Sequence, residues 1–248
     1  MRPHLRLAIL ECDTLPPATR AHYGSYTGIY TALLHAGASS LSIPHSNLQI
    51  TGWDVVEAGE YPGLENIDAV LISGAKYSAF ASTPWIVRLV EFVKTILEGE
   101  RGVRIVGVCF GHQIVGRAMG VKVVSSEHGW EASVCEVKLT EKGKEVFGRE
   151  TLSIHQMHRD IVFDYPPGVE ALSSSPKCQV QDMYIKGRLI TVQGHPEFNQ
   201  EIMTELLESR HEREIFDDAL FEDGMARAGK GQDGVAVAKA FLRFLLEE

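Results

Sequence analysis

The stretch "VGVCFGHQIVG", residues 106–116, decides the fold. An apolar run leads into Cys109, with Gly107 two places before it and Gly111 two places after. Upstream, "VRIVGV" (103–108) reads as a buried strand; downstream, "HQIVGRAMG" (112–120) has helical spacing and stops at Gly120. G-x-C-x-G between a strand and a helix is the spacing of a nucleophile elbow. The reason is steric. A sharp strand-to-helix turn thrusts the central side chain outward, and side chains at the flanking positions would collide. A helix N-terminus favours the thiolate, the nucleophilic form of any cysteine placed there. The N–H of Phe110 then points at an oxyanion formed on an attacked carbonyl. Taken alone, Cys109 also reads as a small buried hydrophobe, the usual state of a free cysteine. A base decides between the two.

That base is in "VQGHPEF", 192–198. His195 and Glu197 stand two apart at the end of a strand-like run, and in extended chain residues i and i+2 share a face. Pro196 between them fixes the backbone and donates no hydrogen bond, which suits a strand end. Glu197 is placed to accept from one imidazole nitrogen while the other faces a thiol, the base-plus-orienter logic of a triad.

Working outward, short apolar runs alternate with helical patterns. Strands are expected at 5–10, 53–58, 69–74, 103–108, 132–139, 169–175, 180–185 and 189–194, and helices at 26–37 and 85–99, each ending in glycine. The first half therefore reads strand–helix–strand–strand–helix–strand–helix. This is the pattern of an α/β fold with a mainly parallel sheet and helices on both faces. From about 123 to 190 strands follow without intervening helices, which predicts a small antiparallel extension; the tail is helical. Ligands of such sheets bind at the carboxyl ends of the strands, where Cys109 falls.

With 248 residues and no repeat or low-complexity tract, residues 1–248 are expected to form one domain. A net charge of -9 argues against nucleic acid, which calls for a basic footprint. No apolar run approaches the roughly 20 residues of a membrane span. The N-terminal run interrupted by Arg6 is too short for a signal peptide and reads as a first strand. The four cysteines, Cys12, Cys109, Cys135 and Cys178, form no C-x-x-C, so reduced thiols and a cytoplasmic location are expected. No glycine-rich nucleotide loop is present, and no cofactor is implied. His155 and His158 stand i, i+3 but lack a third ligand at a telling spacing, so no metal is expected. His112 is expected to cap or line the helix start, and the acidic run 212–223 to be a solvated helix face.

"GVCFGHQIVGRAMG" followed by "TVQGHPEF" resembles the class I glutamine amidotransferases, whose Cys–His–Glu triad sits on a flavodoxin-like sheet. The resemblance extends to "AVLISGAKYSAF" (69–80), "HRD" (158–160) and the apolar "AFLRFL" (240–245). It implies that Cys109 attacks a γ-carboxamide to give a γ-glutamyl thioester, with His195 as base and proton donor and Glu197 as its orienter. It implies an oxyanion hole from Gly74, Ala75 and Phe110, and substrate contacts from Gln113 and from Met157, His158, Arg159 and Asp160. Two departures concern the pocket that reads free glutamine. The oxyanion loop is "SGAKYS" where many glutamine-using members are rich in Gly and Pro, and Arg159 stands where many place glycine. In these respects the chain resembles the stand-alone γ-glutamyl peptidases and related fungal homologues. The substrate is left open among glutamine, glutathione and γ-glutamyl peptides.

Other classes remain beside this reading. An α/β-hydrolase elbow has the same form, but its chain order is nucleophile, acid, histidine. A binding or regulatory module can keep the elbow without catalysis. The chain holds no S-G-G-x-D-S loop or other synthetase segment. It is therefore expected either to hydrolyse a γ-glutamyl amide alone or to supply ammonia to a separate synthetase subunit.

Overall fold

A computed structural model describes residues 4–247. Twelve strands run in chain order among them. They are β1 (Leu5–Glu11), β2 (Leu48–Asp54), β3 (Ala69–Ile72), β4 (Arg104–Val108), β5 (Val123–Ser125), β6 (Glu131–Leu139), β7 (Leu152–His158), β8 (Asp160–Val162), β9 (Glu170–Ala171), β10 (Ser173–Ser174), β11 (Asp182–Ile185) and β12 (Leu189–Val192). The helices are α1 (Pro17–Tyr23), α2 (Tyr26–Ser40), α3 (Pro84–Glu98), α4 (Phe110–Ala118), α5 (Glu141–Phe147), α6 (Gln200–Glu212), α7 (Asp218–Ala228) and α8 (Gly234–Leu246).

The main sheet has seven strands in the order β2-β1-β3-β4-β12-β11-β9. Its first five are parallel to their neighbours, and β11 and β9 extend it antiparallel. Alternation along the strands separates two cores. Leu7, Ile9, Leu71, Val106 and Ile190 pack with α2, α6 and α8, whereas Ala8, Leu10, Val70, Ile72, Ile105 and Leu189 pack with α3 and α4. The helices thus cover both faces, as expected. Smaller antiparallel sheets, β10-β6-β7 and β5-β8, stand over the carboxyl ends of the parallel strands.

Five expectations need correction. The second strand spans Leu48–Asp54, not 53–58. Asp54 Oδ1 accepts from the N–H groups of Val56 and Glu57, both at 2.9 Å, and folds "VVEA" into a turn. The edge strand itself is half-exposed and carries too few apolar residues to register as a run. Helix α2 does not stop at Gly37 but continues to Ser40. A Cβ on Gly37 would lie 2.8 Å from the Ala238 Cβ, so this glycine permits close approach of α8. The segment 169–175 is two short strands: Glu170–Ala171 joins the main sheet and Ser173–Ser174 joins β6. Helix α5 interrupts the strand-rich region, capped by Thr140, whose Oγ1 accepts from the Gly143 N–H. Three strands, β5, β7 and β8, and helix α1 were not anticipated. The acidic run is likewise not one helix, because 213–217 breaks between α6 and α7.

Among the described residues no helix is long and apolar enough to cross a membrane.

Candidate active site

The elbow forms where β4 passes into α4. Cys109 has φ 51° and ψ -104°, a backbone conformation that L-residues rarely adopt. Both flanking glycines are needed. A Cβ on Gly107 would lie 2.9 Å from the carbonyl carbon and oxygen of Gly111, and one on Gly111 only 2.2 Å from the Ile72 oxygen. The Cys109 N–H donates to Val192 O at 2.8 Å and the Gln113 N–H to Cys109 O at 3.1 Å, which ties the turn to β12 and α4. Cys109 is only 4% exposed, yet it lines a cavity of about 300 Å³. The sulfur is buried without being sealed in.

Register brings the imidazole to it. β12 lies beside β4 with Val192 opposite Val108, so the segments that follow the two strands emerge together. The His195 N–H then donates to His155 O at 2.7 Å, which turns the chain off the sheet and onto β7. The ring stacks on Phe198, 4.0 Å between centroids at 5°. Nδ1 lies 2.8 Å from Glu197 Oε1, which leaves Nε2 as the ring nitrogen available to the Cys109 sulfur. Burial acts to lower the His195 pKa. Interactions with the Cys109 sulfur and the Glu197 carboxylate outweigh it and push the value up to about 10. The site therefore favours an imidazolium next to sulfur. A Cβ on Gly74 would lie 2.8 Å from His195 Cε1, so a side chain there would displace the ring.

In sequence, Tyr30 is one residue of the apolar helical face in "YTGIYTALLHAG" (26–37). Its hydroxyl donates to Glu197 Oε1 at 3.0 Å. Glu11 at the end of β1 positions its helix. One carboxylate oxygen accepts from Ser25 Oγ, the Thr27 N–H and Thr27 Oγ1 at 2.6–2.7 Å, fixing the start of α2. The only sequence signal was a tyrosine on an apolar face, whose hydroxyl needs a partner once buried. Gly74 and Ala75 follow β3 beside the elbow, and Ala75 lines the same cavity as Cys109. Phe110 supplies a first-turn amide of α4. Its side chain is buried and packs against Trp85.

Ala75, Cys109, Gln113, Met157, His158, Arg159 and Asp160 all line the 300 Å³ cavity. Their roles differ. Gln113 Nε2 donates to Asp160 O at 2.8 Å and Gln193 Oε1 at 3.1 Å, closing the wall. His158 has Nδ1 3.2 Å from Asp160 O, and its Nε2 lies 3.1 Å from Glu131 Oε2, an ion pair when the ring is protonated. Burial would raise the Glu131 pKa, but the His158 hydrogen bond and charge bring it below the ordinary value. Ser125 Oγ donates to Asp160 Oδ1 at 2.5 Å. Arg159 is exposed at the rim. Two further residues lie on the wall with no motif to announce them, Trp130 and Arg210.

His112 does not line the helix start. It is fully buried, with Nδ1 2.8 Å from Thr191 Oγ1 and Nε2 3.1 Å from Val180 O, and anchors α4 to the sheet. Burial, then the charge of His158, pushes its pKa down to about 3. Burial and the charge of His195 likewise push His155 down to about 4, so its ring is neutral. Among the described residues no group of three or more His, Cys, Asp or Glu could hold a metal ion. Cys12 and Cys178 are buried and Cys135 is half-buried, all as free thiols.

The chain is 37% identical over 245 residues to a protein of Schizosaccharomyces pombe named glutamine amidotransferase-like, covering 97% of this chain and 98% of that one. It is 32% identical over 179 residues to gamma-glutamyl peptidase 2 of Arabidopsis thaliana, covering 68% of this chain and 71% of that protein. The crystal structure of a glutamine amidotransferase from Thermotoga maritima superposes with a TM-score of 0.70 at 18% identity, over 99% of both chains, and shares the fold. Residues 23–211 match the family described as glutamine amidotransferase class-I, and the chain belongs to that family.

Proposed function

We propose that the protein hydrolyses γ-glutamyl amide bonds through a thioester on Cys109. The observation that carries this reading is the alignment of Cys109, His195 and Glu197 beside a cavity able to hold a small substrate. The thiolate attacks the γ-carbonyl carbon, a C–S bond forms, and the carbonyl π electrons move to oxygen. The N–H groups of the Gly74–Ala75 loop and of Phe110 receive that oxyanion. As the tetrahedral intermediate collapses, His195 Nε2 gives its proton to the departing nitrogen, the C–N bond breaks and a neutral amine leaves. The now neutral imidazole takes a proton from water, whose oxygen attacks the thioester. The C–S bond breaks, glutamate is released, and the thiolate–imidazolium pair is restored. Glu197 fixes the tautomer and stabilises the imidazolium, and Tyr30 orients Glu197.

The chemistry closes within this chain and calls for no synthetase. The peptidase relative supports a γ-glutamyl peptide or glutathione-like substrate over free glutamine, as do the "SGAKYS" loop and Arg159. The test offers purified protein glutamine, glutathione and γ-glutamyl dipeptides separately and measures glutamate release. Turnover of a peptide that exceeds turnover of glutamine, and that vanishes in Cys109→Ala, supports the reading. Equal turnover by Cys109→Ala, or none by the native protein, contradicts it.

A further inference from the structure

A second cavity of about 190 Å³ adjoins the first, and Arg210 lies on the wall of both. The first contains Cys109; the second contains His195, with Phe198, Leu206 and Arg213 around it. In acyl transfer to sulfur the departing amine must lie on the side of the group that protonates it. The second cavity is therefore on the leaving-group side.

Its charge is unbalanced. Asp13, the one carboxylate on that wall, is taken by Lys76: Nζ is 2.6 Å from Oδ1, and the Lys76 N–H donates to Oδ2 at 2.8 Å. Arg210 is held firmly but without a counter-charge. Its Nε donates to Met157 Sδ at 3.0 Å, and its Cζ lies 5.0 Å from the Trp130 ring and 5.9 Å from the Phe216 ring. Among the described residues no carboxylate pairs with it and neither terminal nitrogen has an acceptor. A partly desolvated cation without a partner is costly, and aromatic faces repay only part of that cost. A guanidinium fixed in this way is pre-organised to grip a carboxylate by two parallel hydrogen bonds.

We propose that the second cavity is the leaving-group subsite and that Arg210, with Arg213 beside it, binds a carboxylate on the departing amine. The preferred substrates are then γ-glutamyl amides of amino acids or short peptides with a free carboxylate. Free glutamine, which releases only ammonia, leaves this subsite empty. The proposal rests on the hydrolytic reading above and narrows it.

The test compares γ-glutamylalanine with its neutral isostere γ-glutamylalaninamide. Both carry the same α-carboxylate and differ only on the leaving amine. For the native protein the ratio of kcat/KM between them is expected to be on the order of tenfold to hundredfold, the worth of a charge-assisted pair. Arg210→Gln brings the ratio to near one, and Arg210→Lys, which keeps the charge without the fork, lies between. A native ratio near one overturns the proposal. So does an Arg210→Gln variant that loses activity on both substrates equally, as a structural role or a contact with the α-carboxylate would require. Calorimetry with Cys109→Ala separates this proposal from the hydrolytic reading. If the native protein cleaves neither compound, hydrolysis fails, yet tighter binding of γ-glutamylalanine that is lost with Arg210→Gln still supports the subsite. Equal binding of both compounds, or binding of neither, overturns it.

Discussion

At Cys109 a cysteine occupies a backbone conformation that costs energy, and that cost places its sulfur between a cavity and an imidazole. The neighbouring Cys109 sulfur helps to raise the His195 pKa. Cys109→Ala should therefore lower the His195 titration midpoint, seen by NMR of the imidazole, by at least about one pH unit. An unmoved midpoint would mean the two groups do not interact. The sign for stability follows from the same shift. In the unfolded chain the ring titrates near its ordinary value of 6.5, and in the folded protein at about 10. The stabilisation from its protonated form is full below 6.5 and is lost as pH rises toward 10. Urea unfolding of native protein and His195→Asn should show their stability difference shrinking across that window. Tyr30→Phe removes one donor to Glu197; kcat should fall about tenfold with KM nearly constant, the worth of a single hydrogen bond. A change confined to KM would contradict its assignment as a positioning residue. Cys109, His195 and Glu197 were legible as candidates because G-x-C-x-G after a strand and H-x-E at a strand end mark them. Tyr30 and Arg210 were not, because each reaches the site from a helix whose sequence says only that one face is apolar.

Helices and strands were legible where an apolar period had one cause. The strand leading into Cys109 and the helix after it, bounded by glycine, satisfied both propensity and packing. Gly37 misled because a glycine inside a helix can serve close contact between helices as well as termination. β2 misled because an edge strand needs few apolar residues, and β9 and β10 because one segment pairs with two sheets. The elbow tests the packing argument at this level. In Gly111→Ala the new methyl meets the Ile72 carbonyl oxygen, a backbone atom that cannot rotate away. β3 and α4 must separate, and unfolding in urea should show a loss of about 2–3 kcal/mol. A change below about 0.5 kcal/mol would show that the elbow has more room than its contacts indicate.

Taken whole, the chain places two cores on either side of one sheet, and Ser73, Gln193, His195 and Glu197 are buried just beyond the carboxyl ends of β3 and β12. The mainly parallel sheet that carries Cys109 was foreseeable from the alternation of strands and helices. The β6–β7 wall was less so, because a strand such as "LSIHQMH" carries histidine and glutamine where a core strand is expected to be apolar. One buried carboxyl lies apart from the site. Burial raises Asp182 to about 7, and the hydrogen bond from Ser173 Oγ offsets only part of that effect. An unfolded aspartate ionises near 3.8, so the folded protein loses stability as pH rises from 3.8 to 7 and does not regain it above. Asp182→Asn should raise Tm at pH 8 by roughly 5 °C and leave it nearly unchanged at pH 4. A gain at pH 4 that matches the gain at pH 8 would rule out ionisation as the cause.

The central claim is that a γ-glutamyl group passes through the sulfur of Cys109. Protein mixed with a γ-glutamyl dipeptide, quenched in acid within one turnover and digested with protease at low pH, should yield the Cys109 peptide heavier by one glutamyl residue. The added mass should vanish on treatment with hydroxylamine and be absent from Cys109→Ala. Steady turnover without any acylated Cys109 peptide, or with the label on another residue, would contradict the account.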